Sequence, residues 1–193
     1  MVGKTMGKLQ DLNILIVDPA GYSKSLLRSI LNSLGIQRII ALATTDEALA
    51  TLRVETFDVL LCDERAGPTQ PDKFVRKLRS DVSITNVTMP VVLISAGTNH
   101  GRVATWRDAG GSDVIVKPIS LDALKLRLQA LILNPRNFVT ARSFIGPDRR
   151  RAGADRRQFG ERRPPGGDRR NQQADGAVFS MPRLDTLDDM PDK

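Results

Sequence analysis

The sequence has little of what most catalytic and metal sites are built from. Its 193 residues include one cysteine, Cys62, and one histidine, His100. A single cysteine excludes a disulfide framework and a cysteine-based metal site, and a single histidine excludes a histidine-rich one. Cys62 lies in an apolar run, so we expect a buried thiol rather than half of a Cys–His nucleophile pair. The sequence also has no glycine-rich phosphate loop, and we predict that the protein is not an enzyme.

Long apolar segments are missing as well. No apolar run approaches the roughly 20 residues that a membrane-spanning helix needs. The first residues, MVGKTMGKLQDLN, lack the apolar core of a signal peptide. We therefore expect a cytoplasmic protein without membrane insertion.

Positive charge is in excess and is unevenly distributed. The net charge is +7 and the isoelectric point is about 10.1. Residues 1–134 contain 16 basic and 13 acidic side chains, whereas the shorter stretch 135–193 contains 13 basic and nine acidic ones. The C-terminal part is therefore more basic per residue, which favours an anionic partner for that part.

Residues 11–134 alternate short apolar runs with helical patterns. The apolar runs, of the kind that a strand buried on both faces requires, cover 14–17, 38–42, 57–62, 90–94 and 114–116. Thr44 and Glu47 have the spacing of a capping box, and Ser120 is positioned to cap the last helix. Five strands alternating with five helices predict a five-stranded parallel sheet of the doubly wound α/β class.

The predicted domain has a boundary at each end. We predict a flexible N-terminus over residues 1–10, the α/β domain over 11–134, and a disordered tail over 135–193. In the tail, Pro, Gly, Arg, Asp and Gln dominate, and no helical or strand period persists.

Polar residues follow four of the predicted strands. Asp18, Asp63, Ser95 and Lys117 stand at the ends of strands one, three, four and five. Ligands of such folds bind beyond the carboxyl ends of the strands. Carboxylates there can hold Mg²⁺, and a free carboxylate oxygen can attack a phosphoryl group to give an acyl phosphate. The lysine and the hydroxyl would then pair with the added phosphoryl oxygens.

Four short motifs, in the right order and at suitable spacing, resemble those of a known family. ILIVD at 14–18, VLLCD at 59–63, VVLISA at 91–96 and VKP at 116–118 resemble the two-component receiver domain, which has the CheY-like, flavodoxin-like fold. The resemblance covers residues 11–134. It implies that Asp63 is the phospho-acceptor and that Ser95 and Lys117 are the phosphoryl-switch residues. It also implies metal ligation by Asp18, Asp63 and the carbonyl of Arg65.

The sequence departs from that family pattern at several places. Pro19 replaces the second of two adjacent acids, which should weaken Mg²⁺ binding. Val114 replaces the usual switch aromatic, and the loop after Asp63 runs ERAGPTQPD without the usual Met-Pro pair. Two alternatives remain open for Asp63: phosphorylation, or a retained ion pair with Lys117 without phosphotransfer.

Residues 148–170 contain a repeated acid-Arg-Arg unit. The segment reads DRRRAGADRRQFGERRPPGGDRR, with nine arginines, four acids and no lysine. Phe159 is its only large apolar side chain, so the segment cannot form its own core. The four units are Asp148-Arg149-Arg150, Asp155-Arg156-Arg157, Glu161-Arg162-Arg163 and Asp168-Arg169-Arg170.

The pairing of acids with arginines favours guanine as a ligand. A guanidinium pairs bidentately with phosphate or with the O6/N7 edge of guanine. A carboxylate can accept from the N1–H and N2–H groups on the opposite edge. One unit can therefore hold both edges of one guanine, and four units predict a ligand that carries several guanines and phosphates.

A receiver followed by such a segment, without a DNA-binding domain, resembles the CheY-like cyclic di-GMP effectors known as Cle proteins of Caulobacter-type bacteria. The resemblance implies that the four units bind cyclic di-GMP. It further implies that the receiver then engages a flagellar motor switch protein of the FliM type, through a surface over about residues 100–133. The protein would thereby modulate motility and surface attachment, and it would be recruited to the flagellated pole. A histidine kinase is a further partner that the resemblance implies.

Two other interpretations of the tail are kept. In the first, the tail is a disordered run of charged residues that is exposed to solvent and binds nothing specifically. In the second, the tail is an RNA-binding arm of a phosphorylation-driven response regulator. The interleaved acids and the single aromatic of the segment, Phe159, are unfavourable for the RNA-binding arm.

Overall fold

A computed structural model describes residues 9–97, 100–133, 135–141 and 144–148. All of them belong to the first of two units into which the chain divides, Met1–Ala154, and the second unit, Asp155–Lys193, lies outside the described residues. Over the described part of the chain, every helix is too short or too polar to cross a membrane.

Strands and helices alternate as predicted. The strands are β1 (Asn13–Val17), β2 (Arg38–Leu42), β3 (Val59–Asp63), β4 (Val91–Ser95), β5 (Asp113–Val116), β6 (Phe138–Ala141) and β7 (Phe144–Pro147). The helices are α1 (Gly21–Ser33), α2 (Thr45–Leu52), α3 (Pro71–Ser80), α4 (His100–Asp108) and α5 (Leu121–Leu133). A one-turn 3-10 helix, Leu9–Asp11, precedes β1, so regular structure begins slightly before the boundary predicted at residue 11.

The first five strands form one parallel sheet in the order β2-β1-β3-β4-β5. Each face of the sheet carries its own core. Along β1, Leu15 and Val17 belong to one core cluster, while Ile14 and Ile16 belong to the other. All four are fully buried, because helices cover both faces, and this accounts for the continuous apolar runs in the sequence. The predicted doubly wound α/β class is confirmed.

Local signals place the helix ends where they were predicted. Thr44 Oγ1 accepts a hydrogen bond from the backbone N–H of Glu47, and the Glu47 carboxylate accepts one from the N–H of Thr44, which completes the capping box. Gly35 follows α1 with φ +83°, a left-handed conformation suited to ending a helix. Ser120 Oγ accepts from the N–H of Ala123 at 3.1 Å and caps α5.

The chain after α5 differs from the prediction. β6 and β7 pair antiparallel and form a hairpin, so the prediction of a disordered tail over 135–193 is wrong for these two strands. The backbone N–H of Asp148 donates to the carbonyl of Asn137 at 2.7 Å and closes the open end of the hairpin. An isolated two-stranded hairpin is marginally stable in water. Its stability must therefore come from contacts with the α/β domain.

One buried arginine supplies the main polar contact beneath the hairpin. Arg79, on α3, is 3% exposed. Its Nε and Nη2 donate to the carbonyl of Gly110 at 3.2 and 3.0 Å. Its Nη1 donates to the carbonyls of Met89, at 2.9 Å, and Val87. The Arg79 guanidinium thus ties α3 to the segment before β4 and to the turn before β5.

The hairpin lies directly on this buried group. The ring centroid of Phe138, in β6, lies 5.1 Å from the guanidinium carbon of Arg79, a cation–π contact. Gly110 has φ +98°, and a Cβ at this position would lie 2.5 Å from the carbonyl oxygen of Ile145 in β7. The hairpin therefore docks where β5 begins, at the edge of the sheet opposite to the carboxyl ends of the strands.

Candidate functional site

The predicted polar side chains lie at the end of the sheet formed by the C-termini of its parallel strands, which we call the carboxyl edge. Asp63 and Ser95 are the last residues of β3 and β4, and Asp18 and Lys117 directly follow β1 and β5. Parallel strands end at the same edge, so four residues that are far apart in sequence become neighbours. Lys117 forms ion pairs with both Asp63 and Asp18, whereas Ser95 hydrogen-bonds a residue that the sequence did not single out.

Asp63 lies at the centre of the group and is 1% exposed. Lys117 Nζ lies 2.5 Å from Asp63 Oδ2. On the other side, Asp63 Oδ1 accepts from the backbone N–H of Arg65 at 2.9 Å and from Arg65 Nε at 3.2 Å. Both carboxylate oxygens are thus bonded to cationic groups of the same chain.

These partners keep Asp63 ionised. Burial alone would raise the pKa of Asp63. The hydrogen bonds from Lys117 and from the backbone and side chain of Arg65 outweigh burial and hold the pKa of this carboxyl below its ordinary value. An ionised carboxylate is the form that can act as a nucleophile toward phosphorus or as a metal ligand.

Asp18 is fully buried beside Asp63, and its two oxygens differ in their partners. Oδ1 accepts from the backbone N–H of Ala20 at 2.8 Å. Oδ2 is buried and has no hydrogen-bond partner among the described residues; Lys117 Nζ lies 3.9 Å away. A buried carboxylate oxygen without a donor is costly unless a cation satisfies it.

The donor set therefore fits a hard divalent cation, with fewer ligands than usual. Asp18 and Asp63 supply carboxylates, and the described residues contain no cluster of three or more His, Cys, Asp or Glu side chains. The carbonyl of Arg65, the third predicted ligand, already accepts from the N–H of Gly67 at 2.9 Å and keeps a second lone pair. Pro19 contributes no side-chain donor, and the side chain of Arg65 competes for Asp63 Oδ1.

Ser95 hydrogen-bonds Glu64 rather than Asp63. Ser95 Oγ donates to Glu64 Oε2 at 2.6 Å, and the backbone N–H of Ala96 donates to Glu64 Oε1 at 3.0 Å. Arg102, in α4, completes the group with Nη1 3.0 Å from Glu64 Oε2. The Glu64 carboxylate thus connects the end of β4 to α4.

Glu64 is a residue of this site that the sequence analysis missed. Burial works to raise the pKa of Glu64, but the hydrogen bonds from Ser95 and Ala96 and the charge of Arg102 hold the pKa below its ordinary value. One signal was present in the sequence. Glu64 is an acid directly after Asp63, and neighbouring parallel strands end at about the same level, so a residue in this place can contact the end of the next strand. Its partner Arg102 lies on the next helix and could not be identified from local sequence.

Cys62 is a buried thiol, as predicted. It is 0% exposed, and its Sγ donates to the backbone carbonyl of Asp63 at 3.5 Å. Burial, together with the negative charges of Asp63 and Asp18, raises the pKa of the Cys62 thiol far above its ordinary value. A thiol that stays protonated and inaccessible is not a nucleophile.

Two aromatic side chains near the site belong to the hydrophobic core. Phe74 and Trp106 are 1% and 3% exposed. Trp106 Nε1 donates to the carbonyl of Asp113 at 3.0 Å, which satisfies its polar atom. Val114, at the position where a switch aromatic was expected, is partly buried against the same core cluster.

The acid-Arg-Arg units lie almost entirely outside the described residues. Asp148, the acid of the first unit, is the last described residue and is held at the open end of the hairpin by the hydrogen bond from its N–H to the Asn137 carbonyl. The remaining predicted ligand-binding residues are Arg149, Arg150, Asp155, Arg156, Arg157, Glu161, Arg162, Arg163, Asp168, Arg169 and Arg170. For these, cyclic di-GMP binding stays a prediction.

Comparison with known proteins gives one family match and several relatives. Residues 14–129 match the family described as response regulator receiver domain. The chain is 25% identical over 125 residues to the transcriptional regulatory protein ZraR of Salmonella typhimurium, covering 65% of this chain and 27% of that protein. It is 30% identical over 124 residues to the virulence sensor protein BvgS of Bordetella pertussis, covering 63% of this chain and 10% of that protein. The chain therefore spans about a quarter of ZraR and a tenth of BvgS.

Solved structures share the fold. The chemotaxis response regulator CheY4 of Vibrio cholerae superposes with a TM-score of 0.57 at 22% identity, covering 62% of this chain and 98% of CheY4. The receiver domain of a sensor histidine kinase from Pseudomonas aeruginosa, described with a magnesium ion coordinated in its active-site cleft, gives the same TM-score and identity. That match covers 64% of this chain and 98% of the other.

Proposed function

The chain belongs to the response regulator receiver domain family, and from that premise we propose that it is an adaptor gated by cyclic di-GMP rather than an enzyme. The acid-Arg-Arg units over residues 148–170 bind the dinucleotide in the cytoplasm. The receiver then engages a flagellar motor switch protein of the FliM type at the flagellated pole. The fourfold repetition of the acid-Arg-Arg unit in the sequence carries the proposal.

The chemistry of the ligand matches that of the repeat. Cyclic di-GMP carries two guanines and two phosphates, and a stacked pair of molecules carries four guanines. Each guanine offers O6 and N7 to a guanidinium and its N1–H and N2–H to a carboxylate. A lysine-rich tail would meet the phosphates equally well but could not form the bidentate contact.

The docked hairpin supports the same assignment. It holds the acid of the first unit through the N–H of Asp148, so the repeat begins at a fixed point of the α/β domain. That point lies at the opposite edge of the sheet from Asp63.

Isothermal titration calorimetry with cyclic di-GMP tests the proposal. Replacing Arg156, Arg157, Arg162 and Arg163 by alanine should abolish measurable binding, since each arginine–guanine pair contributes ~1–3 kcal/mol. Replacing the same four by lysine keeps the charge and removes the bidentate geometry, and binding should still fall by an order of magnitude or more. If the alanine variant bound cyclic di-GMP as tightly as the wild type, the proposal would be refuted. If the lysine variant did so, the tail would be a site for polyanions in general rather than for guanine.

A second candidate function is a phosphorylation-driven response regulator with a histidine kinase as partner and a nonspecific or RNA-binding tail. The ionised Asp63 beside Lys117 and the unsatisfied oxygen of Asp18 favour it. In this case Asp18, Asp63 and the Arg65 carbonyl would hold Mg²⁺, which neutralises phosphoryl charge during transfer. Stable phosphorylation of Asp63, with RNA affinity that falls steeply with salt and ignores base identity, would distinguish it.

A further inference from the structure

We propose that the Glu64 carboxylate occupies the place of a phosphoryl group in this receiver and holds the end of β4 in its anion-bound arrangement without phosphorylation of Asp63. The two donors that Glu64 occupies are the Ser95 hydroxyl and the backbone N–H of Ala96. This inference is independent of cyclic di-GMP binding by the tail.

The contacts of Glu64 are those of an anion in an anion site. Its two oxygens accept from two different donors, Oε2 from Ser95 Oγ at 2.6 Å and Oε1 from the Ala96 N–H at 3.0 Å. The first distance is typical of a charge-assisted O–H···O⁻ bond. The side chain of Glu64 is 12% exposed and Ser95 is 3% exposed, so the hydrogen bond between them is largely shielded from water, whereas Ala96 and Arg102 are exposed.

The backbone puts Glu64 in this place. The register between β3 and β4 pairs Asp63 with Ile94, and the N–H of Glu64 donates to the Ile94 carbonyl at 2.9 Å. The ladder therefore continues one residue past Asp63, which brings Glu64 beside Ser95. The resemblance to receiver domains makes Ser95 the residue that would bond a phosphoryl group on the adjacent Asp63, so that group and Glu64 would compete for it.

A phosphoryl group and Glu64 cannot both use these donors fully. The Ser95 hydroxyl has one hydrogen, for which the Gly97 carbonyl at 2.9 Å is already a second acceptor, and the Ala96 backbone has one N–H. Glu64 donates nothing and must leave before either group can bond a phosphoryl oxygen. Its departure also breaks the ion pair with Arg102, whose Nη1 lies 3.0 Å from Glu64 Oε2.

The link to Arg102 has a consequence for signalling. Arg102 lies on α4, so the Glu64 carboxylate joins the end of β4 to that helix in the unphosphorylated protein. Phosphorylation of Asp63 would have to displace Glu64 and so break this link, which persists as long as Glu64 fills the anion site.

A titration with beryllofluoride, a phosphoryl mimic that binds to the acceptor carboxylate, tests this inference. The full chain is titrated at saturating Mg²⁺ and followed by the amide resonances of Ser95 and Ala96. Glu64→Ala removes the competing anion. Glu64→Gln keeps its shape but has one acceptor oxygen, so it cannot satisfy both donors. Glu55→Gln is the matched control, because Glu55 is exposed in the loop before β3 and its replacement makes the same change in charge.

We expect both Glu64 variants to bind beryllofluoride at least about tenfold more tightly than the wild type and the Glu55→Gln control, a factor in keeping with the loss of one charge-assisted hydrogen bond. We also expect the Ala96 amide resonance of the ligand-free protein to move upfield in Glu64→Ala, because it loses a carboxylate acceptor. A smaller gain in affinity would overturn the inference. So would the absence of detectable binding by the wild type, the two Glu64 variants and the Glu55→Gln control alike. An unchanged Ala96 amide resonance in the folded variant would overturn it as well.

Discussion

Asp63 and Arg79 are buried charged groups at opposite edges of one sheet, and they are satisfied in different ways. Asp63, 1% exposed, is bonded to the cations of Lys117 and Arg65. Arg79, 3% exposed, is bonded to three backbone carbonyls and lies against the ring of Phe138. Ionic partners can be exchanged for a metal or a phosphoryl group, whereas backbone carbonyls cannot leave. The carboxyl edge is therefore suited to chemistry and the opposite edge to holding the hairpin.

The pKa values of the two groups follow the same distinction. Cationic partners hold the pKa of Asp63 below its ordinary value despite burial, so its charge is favoured. Within the described residues, the hydrogen bonds of Arg79 go to carbonyls and none goes to a carboxylate, and burial lowers its pKa to about 9. The Arg79 side chain stays charged at neutral pH, at a cost that its carbonyl partners offset.

Arg79→Met should give the largest loss of stability. The substitution leaves the carbonyls of Val87, Met89 and Gly110 without their donors, and each buried unsatisfied acceptor costs ~1–3 kcal/mol. We expect a loss of about 3 kcal/mol or more in urea unfolding, with faster amide exchange in the hairpin. Arg76→Met, on the exposed side of the same helix, is the control and should change stability by less than about 0.5 kcal/mol. Equal effects from both variants would contradict the structural role given to Arg79.

Lys117→Met should have the next largest effect and should depend on pH. It removes the partner of Asp63 Oδ2 and leaves two buried carboxylates together, at a cost of ~1–3 kcal/mol at pH 7. The pKa of Asp63 is depressed in the folded wild type, so the stability that Asp63 contributes is present above its ordinary pKa and is lost as the pH falls through the depressed value.

The stability gap between the wild type and Lys117→Met should therefore narrow as the pH falls below about 4, since protonated carboxyls no longer need the lysine. Urea unfolding at several pH values measures the gap. Lys125→Met, at an exposed position of α5, should show no such dependence. A gap that stays constant with pH would mean that Lys117 stabilises the fold by packing rather than by charge.

Gly110→Ala should loosen the hairpin with a smaller overall loss. The φ of +98° is strained for alanine, and the new methyl group would meet the Ile145 carbonyl oxygen at 2.5 Å. We expect a loss of ~1–2 kcal/mol, with exchange changes concentrated in β6 and β7. Gly21→Ala, where a Cβ would meet no atom within 4 Å, is the control and should be neutral or slightly stabilising. Loss of stability without any change in the hairpin would argue against docking at Gly110.

The smallest expected effect concerns Cys62, whose thiol should not react with a labelling reagent in the native protein. Because burial raises the pKa of this thiol and closes access to it, a thiol-specific disulfide reagent should label the native protein only at the rate of unfolding. The same reagent should label one thiol promptly in urea. Prompt labelling of the native protein would show that the carboxyl edge opens more readily than the opposite edge.

Local sequence was enough to predict the elements of the α/β domain and the position of its polar edge. The apolar run at 14–17, the Thr44–Glu47 capping box and the Ser120 cap all depend on residues within a few positions of one another. Asp18, Asp63 and Lys117 could be grouped by their places at the ends of apolar runs, because parallel strands bring their carboxyl ends to the same edge.

The hairpin and the Glu64 site escaped prediction for a shared reason. The strands Phe138–Ala141 and Phe144–Pro147 are too short to be stable alone, and they depend on Arg79 and Gly110, which lie far from them in sequence. Glu64 is one more acid in a loop until β4 and α4 bring Ser95 and Arg102 to it.

By itself, the sequence determined the doubly wound class, the strand ends at which charged residues gather, and the fourfold acid-Arg-Arg repeat, since each is written in spacing along the chain. Tertiary structure alone decided which charges meet. In the folded chain, Asp63 pairs with Arg65 as well as with Lys117. Ser95 hydrogen-bonds Glu64, and Arg79 is buried under a hairpin. The physical reason is that hydrogen bonds and ion pairs act over a few ångströms, and separation along the chain does not fix those distances until the sheet has formed.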